Sequence, residues 1–242
     1  MTLLFTDIAS SSALWDADAT SMAAAMIAHD KLLRHYMARH TGYEVKQNGD
    51  GFMIAFESAG DALAFCVSLQ RHFDDIGKGP RRVSGLGEES DESKTDEEVL
   101  SKIRLRMCLH HGEPTLQYNA LIQRMDFLGP MVNRCARYIQ ATDPGQIVVS
   151  REFLRALHRE GTGRTGEVGN TAEEELEELE AELVGRTRNL TIGLRARSKD
   201  EGRRRMKFAV QSMGAREFKG VGGRQILYVI MPTGSEEENV SD

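Results

Sequence analysis

Alternating and helically spaced apolar residues divide the first part of the chain into strands and helices. The apolar run at residues 2–8 (TLLFTDI) predicts a buried strand that carries Asp7 near its end. Residues 19–41 have apolar side chains at helical spacing and predict a helix. Residues 43–56 (YEVKQNGDGFMIAF) are typical of a β-hairpin with a Gly-Asp-Gly turn. Residues 59–76 predict a second amphipathic helix.

The second part of the chain repeats these patterns in shorter segments. In residues 103–112 (IRLRMCLHHG), Ile103, Leu105, Met107 and Leu109 are apolar at every second position, which predicts a half-buried strand. We expect a helix at residues 129–140, with proline in its first turn, then a short strand at 146–150 and a short helix at 151–158. Residues 205–231 indicate two closing strands around a glycine-rich turn. This order of elements predicts an α+β sandwich.

Two polar segments interrupt the pattern of what we expect to be one domain, residues 1–232. Residues 78–101 are rich in glycine, serine and acids without periodicity, and they predict a mobile insertion or linker. Residues 161–204 are a second insertion. Within it, the capping box and leucine stripe of residues 171–185 predict a solvated helix, with a partner-binding or coiled-coil helix as the less favoured alternative. The acidic tail, residues 233–242, is expected to be disordered.

Composition narrows the class of protein. A net charge of −6 over 242 residues argues against a general nucleic-acid surface. Three cysteines without CxxC spacing favour reduced thiols and a cytosolic location. No apolar run approaches the ~20 residues that cross a bilayer. Because the chain starts inside a predicted strand, we expect a module of a longer protein with upstream regulatory or membrane domains.

Two acidic residues, Asp7 and Asp50, are the first candidates for chemistry. Taken alone, Asp50 is more readily explained as the tip of a hairpin, since Gly-Asp-Gly is ordinary turn chemistry. If the two strands are neighbours, however, the carboxylates converge, and converging acids require a cation. Mg²⁺ is the usual cation where phosphates are the substrate.

A second candidate pair lies on the helix predicted within MDFLGPMVNRCAR. Asn133 and Arg137 are four residues apart, so they project from one helix face. Beside a phosphate site, such a pair can orient a sugar hydroxyl and stabilise the charge that develops on phosphorus. By pattern alone, an exposed polar face explains the pair equally well.

Four segments taken together resemble a known family. FTDI with its serine-rich turn, YEVK-x-x-GD-x-FM, R-x-x-x-H-x-G and MDFLGPMVNRCAR are similar to motifs of the class III nucleotide cyclase catalytic domain. The YEVK and GPMVNR-x-AR segments are most similar to fungal and trypanosomatid adenylyl cyclases. The similarity covers residues 1–77, 102–158 and 205–231. It implies a ferredoxin-like antiparallel sheet with helices, and a homodimer with active sites at the interface.

The resemblance also implies a role for each candidate residue. Asp7 and Asp50, assisted by the Ile8 carbonyl, match the ligands of two divalent cations, Mg²⁺ or Mn²⁺. The other positions match residues that act on the nucleotide: Lys46 and Asp126, from the other subunit, on the purine; Asn133 and Arg137 on the ribose and the transition state; Arg106 on the terminal phosphates.

The expected reaction is therefore the conversion of ATP to cyclic AMP and pyrophosphate. A lysine with an aspartate offers a donor to adenine N1 and an acceptor for the 6-amino group, whereas guanine presents the reverse pattern. A guanylyl cyclase, or a silent cyclase-like module that binds nucleotide or only dimerises, remains the alternative. A silent module should have lost a metal or transition-state residue, and this chain has kept all four.

Two positions depart from the family pattern. In EFKGVGG, Val221 stands where many relatives carry a lysine that contacts the triphosphate, so either Lys219 or Arg224 substitutes or the affinity for ATP is reduced. Gln47-Asn48 stands where many relatives carry threonine and a small or apolar residue. This second departure adjoins the base-reading lysine and could disturb its placement.

Overall fold

The computed structural model describes residues 1–78, 91–162, 187–194 and 204–233. Its strands in these ranges are β1 (Thr2–Ile8), β2 (Tyr43–Asn48), β3 (Gly51–Phe56), β4 (Leu105–His111), β5 (Thr115–Asn119), β6 (Arg124–Leu128), β7 (Ile147–Ser150), β8 (Thr187–Leu194), β9 (Arg204–Arg216) and β10 (Gln225–Pro232). The helices are α1 (Ser11–Ala17), α2 (Ala19–Arg39), α3 (Ala59–Gly77), α4 (Asp91–Leu100), α5 (Pro130–Tyr138) and α6 (Arg151–Thr162). None of the helices in the described ranges is both long enough and apolar enough to cross a membrane.

Eight strands form one sheet in the order β2-β3-β1-β4-β7-β10-β9-β8, and β5 and β6 form a separate hairpin. The first four of them, with α2 and α3, have the βαββαβ order of a ferredoxin-like unit. The predicted α+β class is confirmed. The sheet is mixed, however, because β4 and β7 pair in parallel. The chain between these two strands passes through the β5–β6 hairpin and α5, and a long connection of this kind permits a parallel pair.

Helices cover both faces of the sheet, and strand alternation assigns side chains to one face or the other. We call the side packed against α2, α3 and α6 the first face, and the side packed against α5 and the β5–β6 hairpin the second face. Representative buried residues are Leu4, Ile54 and Leu109 on the first face and Leu3, Met53 and Cys108 on the second. The three cysteines, Cys66, Cys108 and Cys135, are buried and unpaired, as the sequence predicts.

The segment predicted as an aperiodic insertion, residues 78–101, contains the helix α4. Its last two residues supply the packing: Leu100 is buried, and Val99 lies against the first-face core. Lys31 of α2 pairs with Asp96 of α4, Nζ to Oδ2, at 3.7 Å. Because only two apolar residues anchor the helix, its sequence has no periodic stripe that would have revealed it.

The second predicted insertion also contributes to the sheet. Residues 187–194 form β8, which pairs antiparallel with β9 at the sheet edge, from Thr187 opposite Gln211 to Leu194 opposite Arg204. The helix predicted at 171–185 and most of the acidic tail lie outside the described residues.

The adjacent histidines of β4, His110 and His111, contribute to packing, and their burial makes the stability of the fold sensitive to acid. His110 is buried, with Nδ1 2.8 Å from Ser150 Oγ and its ring edge-on to Tyr138. Burial lowers the pKa of His110 and of His111 to about 4, from 6.5. Since the unfolded chain takes up these protons below pH 6.5 and the folded chain does so only near pH 4, stability is full at pH 7 and falls as the pH drops through this window.

We expect the free energy of unfolding to fall by about 2 kcal/mol between pH 7 and pH 5 because of the buried His110, with a smaller loss from the partly exposed His111. Urea unfolding at both pH values measures this loss. His110→Asn should reduce the pH dependence, and the exposed His35→Gln should preserve it. An unchanged pH dependence in His110→Asn would contradict the assignment.

Candidate functional site

The Gly-Asp-Gly turn brings Asp50 to the end of β1. Gly49 has a φ of 62°, as the first central residue of a two-residue hairpin loop requires. A Cβ on Gly51 would lie 2.9 Å from the Thr6 carbonyl oxygen, so only glycine allows the turn to approach β1 this closely. The Ile8 N–H donates to Asp50 Oδ2 at 3.2 Å. Both glycines therefore serve to place Asp50 beside the Asp7–Ile8 segment.

Asp7 lies on the second face next to the guanidinium group of Arg106. It stands opposite Arg106 in the register of β1 and β4, and the two side chains form an ion pair. Each side chain is a little over one-quarter exposed. Arg106 Nε is buried without a hydrogen-bond partner in the described part of the chain. The structure therefore supplies a guanidinium charge to the Asp7 carboxylate and leaves one donor of that arginine unused.

The donors at this end of the sheet suit a hard divalent cation. Two carboxylates, Asp7 and Asp50, flank the backbone of Ile8, and oxygen donors are the ligands that Mg²⁺ and Mn²⁺ prefer. The pairing of Asp7 with a guanidinium shows that this position takes a positive charge. Among the described residues there is no cluster of three or more His, Cys, Asp or Glu side chains that could hold a metal ion.

A β-bulge determines the face on which Lys46 lies. The register between β2 and β3 shifts between Glu44 and Lys46, leaving Val45 as the extra residue. Glu44 and Gln47 pair with first-face residues of β3, whereas Lys46 pairs with Met53 of the second face. Without the extra residue, Lys46 would point towards α2. The bulge thus places Lys46 on the same face as Asp7, which alternation alone does not predict.

Lys46 and Asp126 form an ion pair within one chain. Lys46 Nζ lies 2.6 Å from Asp126 Oδ1 and 2.9 Å from Oδ2, and the Phe127 N–H donates to Oδ1 at 2.8 Å. The Lys46 hydrogen bond holds the pKa of the Asp126 carboxyl below its ordinary value. The two side chains are 43% and 29% exposed, so the pair is open to a ligand.

Tyr43 links the two elements that carry this pair. Its hydroxyl accepts from the Met125 N–H at 3.1 Å and donates to the Met125 carbonyl at 3.4 Å. Its ring stacks on Phe127 with the centroids 6.2 Å apart. Through these contacts β6 is held against β2, although the two strands belong to different sheets. Sequence reasoning did not identify the β5–β6 hairpin or this contact.

Asn133 and Arg137 lie on α5 as the sequence predicts. The helix begins after Gly129, whose φ of 103° turns the chain into Pro130 at the first helical position. Asn133 is exposed and Arg137 is half-buried. Neither side chain forms a hydrogen bond or ion pair with the described residues, so both are available to a ligand.

The positions that depart from the family pattern have different environments. Lys219, Val221 and Arg224 lie in the β9–β10 connection, where Lys219 is exposed and Arg224 Nη2 donates to the Ala215 carbonyl at 3.3 Å. Gln47, in contrast, is bonded on both ends of its amide to α2.

The close approach of Gly51 gives a testable consequence. In Gly51→Ala, the added methyl meets the backbone at Thr6, so the turn must move and the protein should lose about 1–3 kcal/mol of stability. Because a displacement of about 1 Å can cost about 100-fold in rate, activity should fall further than stability implies. Gly77→Ala is the matched control, since its new methyl meets only the end of the Arg104 side chain at 3.9 Å. Equal effects in both variants would contradict the packing argument.

The chain is similar to known proteins in sequence and in fold. The family described as "Adenylate and Guanylate cyclase catalytic domain" matches residues 1–180. An adenylate cyclase of Mycosarcoma maydis is 32% identical over 244 residues, covering 95% of this chain and 9% of that protein. A receptor-type adenylate cyclase of Trypanosoma brucei brucei is 30% identical over 177 residues, covering 66% of this chain and 14% of that protein.

A solved structure of adenylate cyclases from Trypanosoma brucei in their monomeric state has the same fold. Its TM-score to this chain is 0.60 at 22% identity, with 95% of this chain and 86% of that chain covered. The chain spans only about a tenth of the length of the curated relatives named above.

Proposed function

Because the chain belongs to the family of adenylate and guanylate cyclase catalytic domains, we propose that it converts ATP to cyclic AMP and pyrophosphate. The observation that carries the choice of ATP is the Lys46–Asp126 pair, an open donor beside an open acceptor at 2.6 Å. Adenine offers an acceptor at N1 next to the donor of its 6-amino group, so it complements this pair. Guanine presents the reverse order, and the mismatch leaves polar groups unpaired at about 1–3 kcal/mol each.

The proposed reaction is an in-line attack of the ribose 3′-oxygen on the α-phosphate. Asp7, Asp50 and the Ile8 carbonyl would hold two divalent cations, Mg²⁺ or Mn²⁺. When bound, such ions lower the pKa of a hydroxyl and neutralise phosphate charge. Arg106 pairs with Asp7 and neutralises its charge. We propose that the buried Nε of Arg106, which has no hydrogen-bond partner among the described residues, reflects a second role for this arginine in binding the terminal phosphates.

The α5 residues complete the proposed site. Asn133 would orient the ribose by hydrogen bonding. Arg137 would place its guanidinium against the charge that builds up on the α-phosphate in the transition state. Their lack of partners among the described side chains supports this assignment, because a ligand does not have to displace an existing contact.

We propose that two copies of the chain combine to form the site. One copy supplies Asp7 and Asp50. Its partner supplies Lys46 of β2, Asp126 of β6, and Asn133 and Arg137 of α5. The β5–β6 hairpin, which carries Asp126, supports this arrangement. Its exposed apolar side chains are Leu116, Tyr118, Leu121, Ile122 and Leu128. An apolar strip of this kind beside a functional residue favours burial against another subunit.

The relatives' greater length supports a further proposal, that this domain is the catalytic part of a longer protein with upstream regulatory or membrane domains. The chain covers 9% of the fungal relative and 14% of the receptor-type relative. The domain itself would act on cytosolic ATP.

Purified protein with Mn²⁺ and ATP tests the proposal. Cyclic AMP should form, and the rate should rise more than linearly with protein at low concentration, because dilution separates the two halves of each site. Absence of product from ATP and from GTP, with either Mn²⁺ or Mg²⁺, would overturn the enzymatic proposal in favour of a silent module. A strictly linear rate would contradict the shared site.

A further inference from the structure

The side-chain amide of Gln47 bonds to α2 and to the β2–β3 turn. Its Nε2 donates to both Asp30 oxygens, at 2.9 and 3.1 Å, and to the Gly49 carbonyl at 3.1 Å. Its Oε1 accepts from Arg34 Nη2 at 2.9 Å. The Gln47 Oε1 acceptor and the Nε2 donor are therefore both engaged, and these contacts define the orientation of the amide.

The same helix also holds the strand on the other side of the bulge. Arg34 donates through Nε and Nη2 to the two Glu44 oxygens at 2.9 and 3.2 Å, and through Nη1 to Asp30 at 3.3 Å. The Arg34 guanidinium also lies 5.1 Å from the ring centre of Phe52. A bidentate contact of this kind fixes geometry as well as adding energy.

The charges of this network stabilise one another. The Arg34 hydrogen bond holds the pKa of Glu44 below its ordinary value. Burial raises the pKa of Asp30, but hydrogen bonds from His29 and Gln47 outweigh that effect and lower it overall. The network is therefore fully charged at neutral pH.

These contacts lie on both sides of the bulge. Glu44 lies directly before the extra residue Val45, Gln47 directly after Lys46, and both are tied to one turn of α2. A shift of one residue in this pairing would exchange the faces of Lys46 and Gln47. Lys46 would then point towards α2 and lose Asp126.

We propose that Gln47 is a positioning residue for base recognition, which holds the bulged register of β2 through Asp30 and Arg34 and so keeps Lys46 aimed at the purine. This inference rests on the proposed function of Lys46. It assigns a role to a residue that otherwise stands out only as a departure from the family pattern. The residue at this position then affects selectivity between bases without touching the nucleotide.

Gln47→Ala tests the proposal. The ratio of kcat/KM for ATP over GTP should fall about tenfold, mainly through a higher KM for ATP, with kcat less affected. Gln70→Ala is the matched control, because Gln70 also donates its amide to a helix carboxylate, Asp74, at 3.2 Å, but lies on α3 away from β2. The control should keep the wild-type ratio.

A rescue variant separates positioning from a general loss of stability. Asp30→Asn combined with Gln47→Glu reverses the direction of the hydrogen bond and keeps an acceptor for Arg34. The double variant should recover most of the ATP preference, whereas Gln47→Glu alone, with two facing carboxylates, should lose it. A ratio that is unchanged in Gln47→Ala and in Gln47→Glu would overturn the inference.

The same series distinguishes this inference from the proposed reaction. If the wild-type protein makes no cyclic nucleotide, the reaction proposal fails. The ATP-to-GTP ratio is then measured as binding, by calorimetric titration of each nucleotide with Mn²⁺. A lower ratio in Gln47→Ala supports the positioning role, and an equal ratio in Gln47→Ala and wild type refutes it.

Discussion

Replacing Asp50 with alanine is expected to abolish cyclic AMP formation while the protein stays folded. The side chain lies at a hairpin tip, and its only hydrogen bond within the described ranges is acceptance of the Ile8 N–H at 3.2 Å. Losing that hydrogen bond should cost only about 1 kcal/mol of stability. Losing one of two carboxylates that hold the divalent cations should reduce turnover by about 1,000-fold or more.

Cyclic AMP formation and thermal unfolding, measured on the same preparation, separate the two effects. Titration with Mn²⁺ followed by electron paramagnetic resonance gives a readout that does not depend on turnover, and Asp50→Ala should bind the ion more weakly. The exposed Asp74→Ala on α3 is the matched control and should behave as wild type. An active Asp50→Ala variant would contradict the metal assignment.

Mixing two inactive variants is expected to restore activity. If Asp50 and Asn133 reach each site from different copies, random pairing of Asp50→Ala with Asn133→Ala chains makes about half of the dimers mixed, and each mixed dimer has one intact site. About a quarter of all sites should then be active. The cyclic AMP rate of the equimolar mixture, compared with wild type at the same total protein concentration, measures this fraction.

The control for this experiment uses two residues from the same side of the site. Mixing Asp7→Ala with Asp50→Ala leaves every site with a defective set of carboxylates, so this mixture should stay inactive. Recovery in neither mixture would show that each site is built from a single chain. Recovery in both would contradict the assignment of Asp7 and Asp50 to the same copy.

Much of the architecture could be predicted because the relevant signals are local. The strand at residues 2–8, the hairpin at 43–56 and the helices near 59–76 and 129–140 have the apolar spacing of their structures, and the observed bounds differ by at most a few residues. The positions of Asp7 and Asp50 could be anticipated in the same way. Gly-Asp-Gly indicates a turn, and two neighbouring strands bring the acids together.

Other features could not be predicted because they depend on contacts between distant segments. The bulge at Val45 changes the face of Lys46, yet YEVKQN carries no glycine or other residue that marks it. The contacts on either side of it come from α2, where Asp30 and Arg34 bond to residues 10 to 17 positions further along. Alternation alone would have directed Lys46 into the first-face core.

The peripheral elements α4, β8 and the β5–β6 hairpin could not be predicted from the sequence for a related reason. The helix α4 has two apolar anchors at its end, and β8 joins the sheet through backbone pairing, which requires no particular side-chain pattern. The β5–β6 hairpin, whose side chains are largely exposed, likewise lacks the alternation of a half-buried strand. These elements become evident only from the strands and helices that they contact in the folded structure.

Competition between ATP and GTP tests the central claim most directly. Wild-type protein with Mn²⁺ receives equal, subsaturating concentrations of both nucleotides, and the two cyclic products are separated and quantified by mass spectrometry. The Lys46–Asp126 pair predicts that cyclic AMP exceeds cyclic GMP by at least about fivefold, since one mismatched polar group costs about 1–3 kcal/mol. Equal amounts of the two products, or an excess of cyclic GMP, would contradict the account.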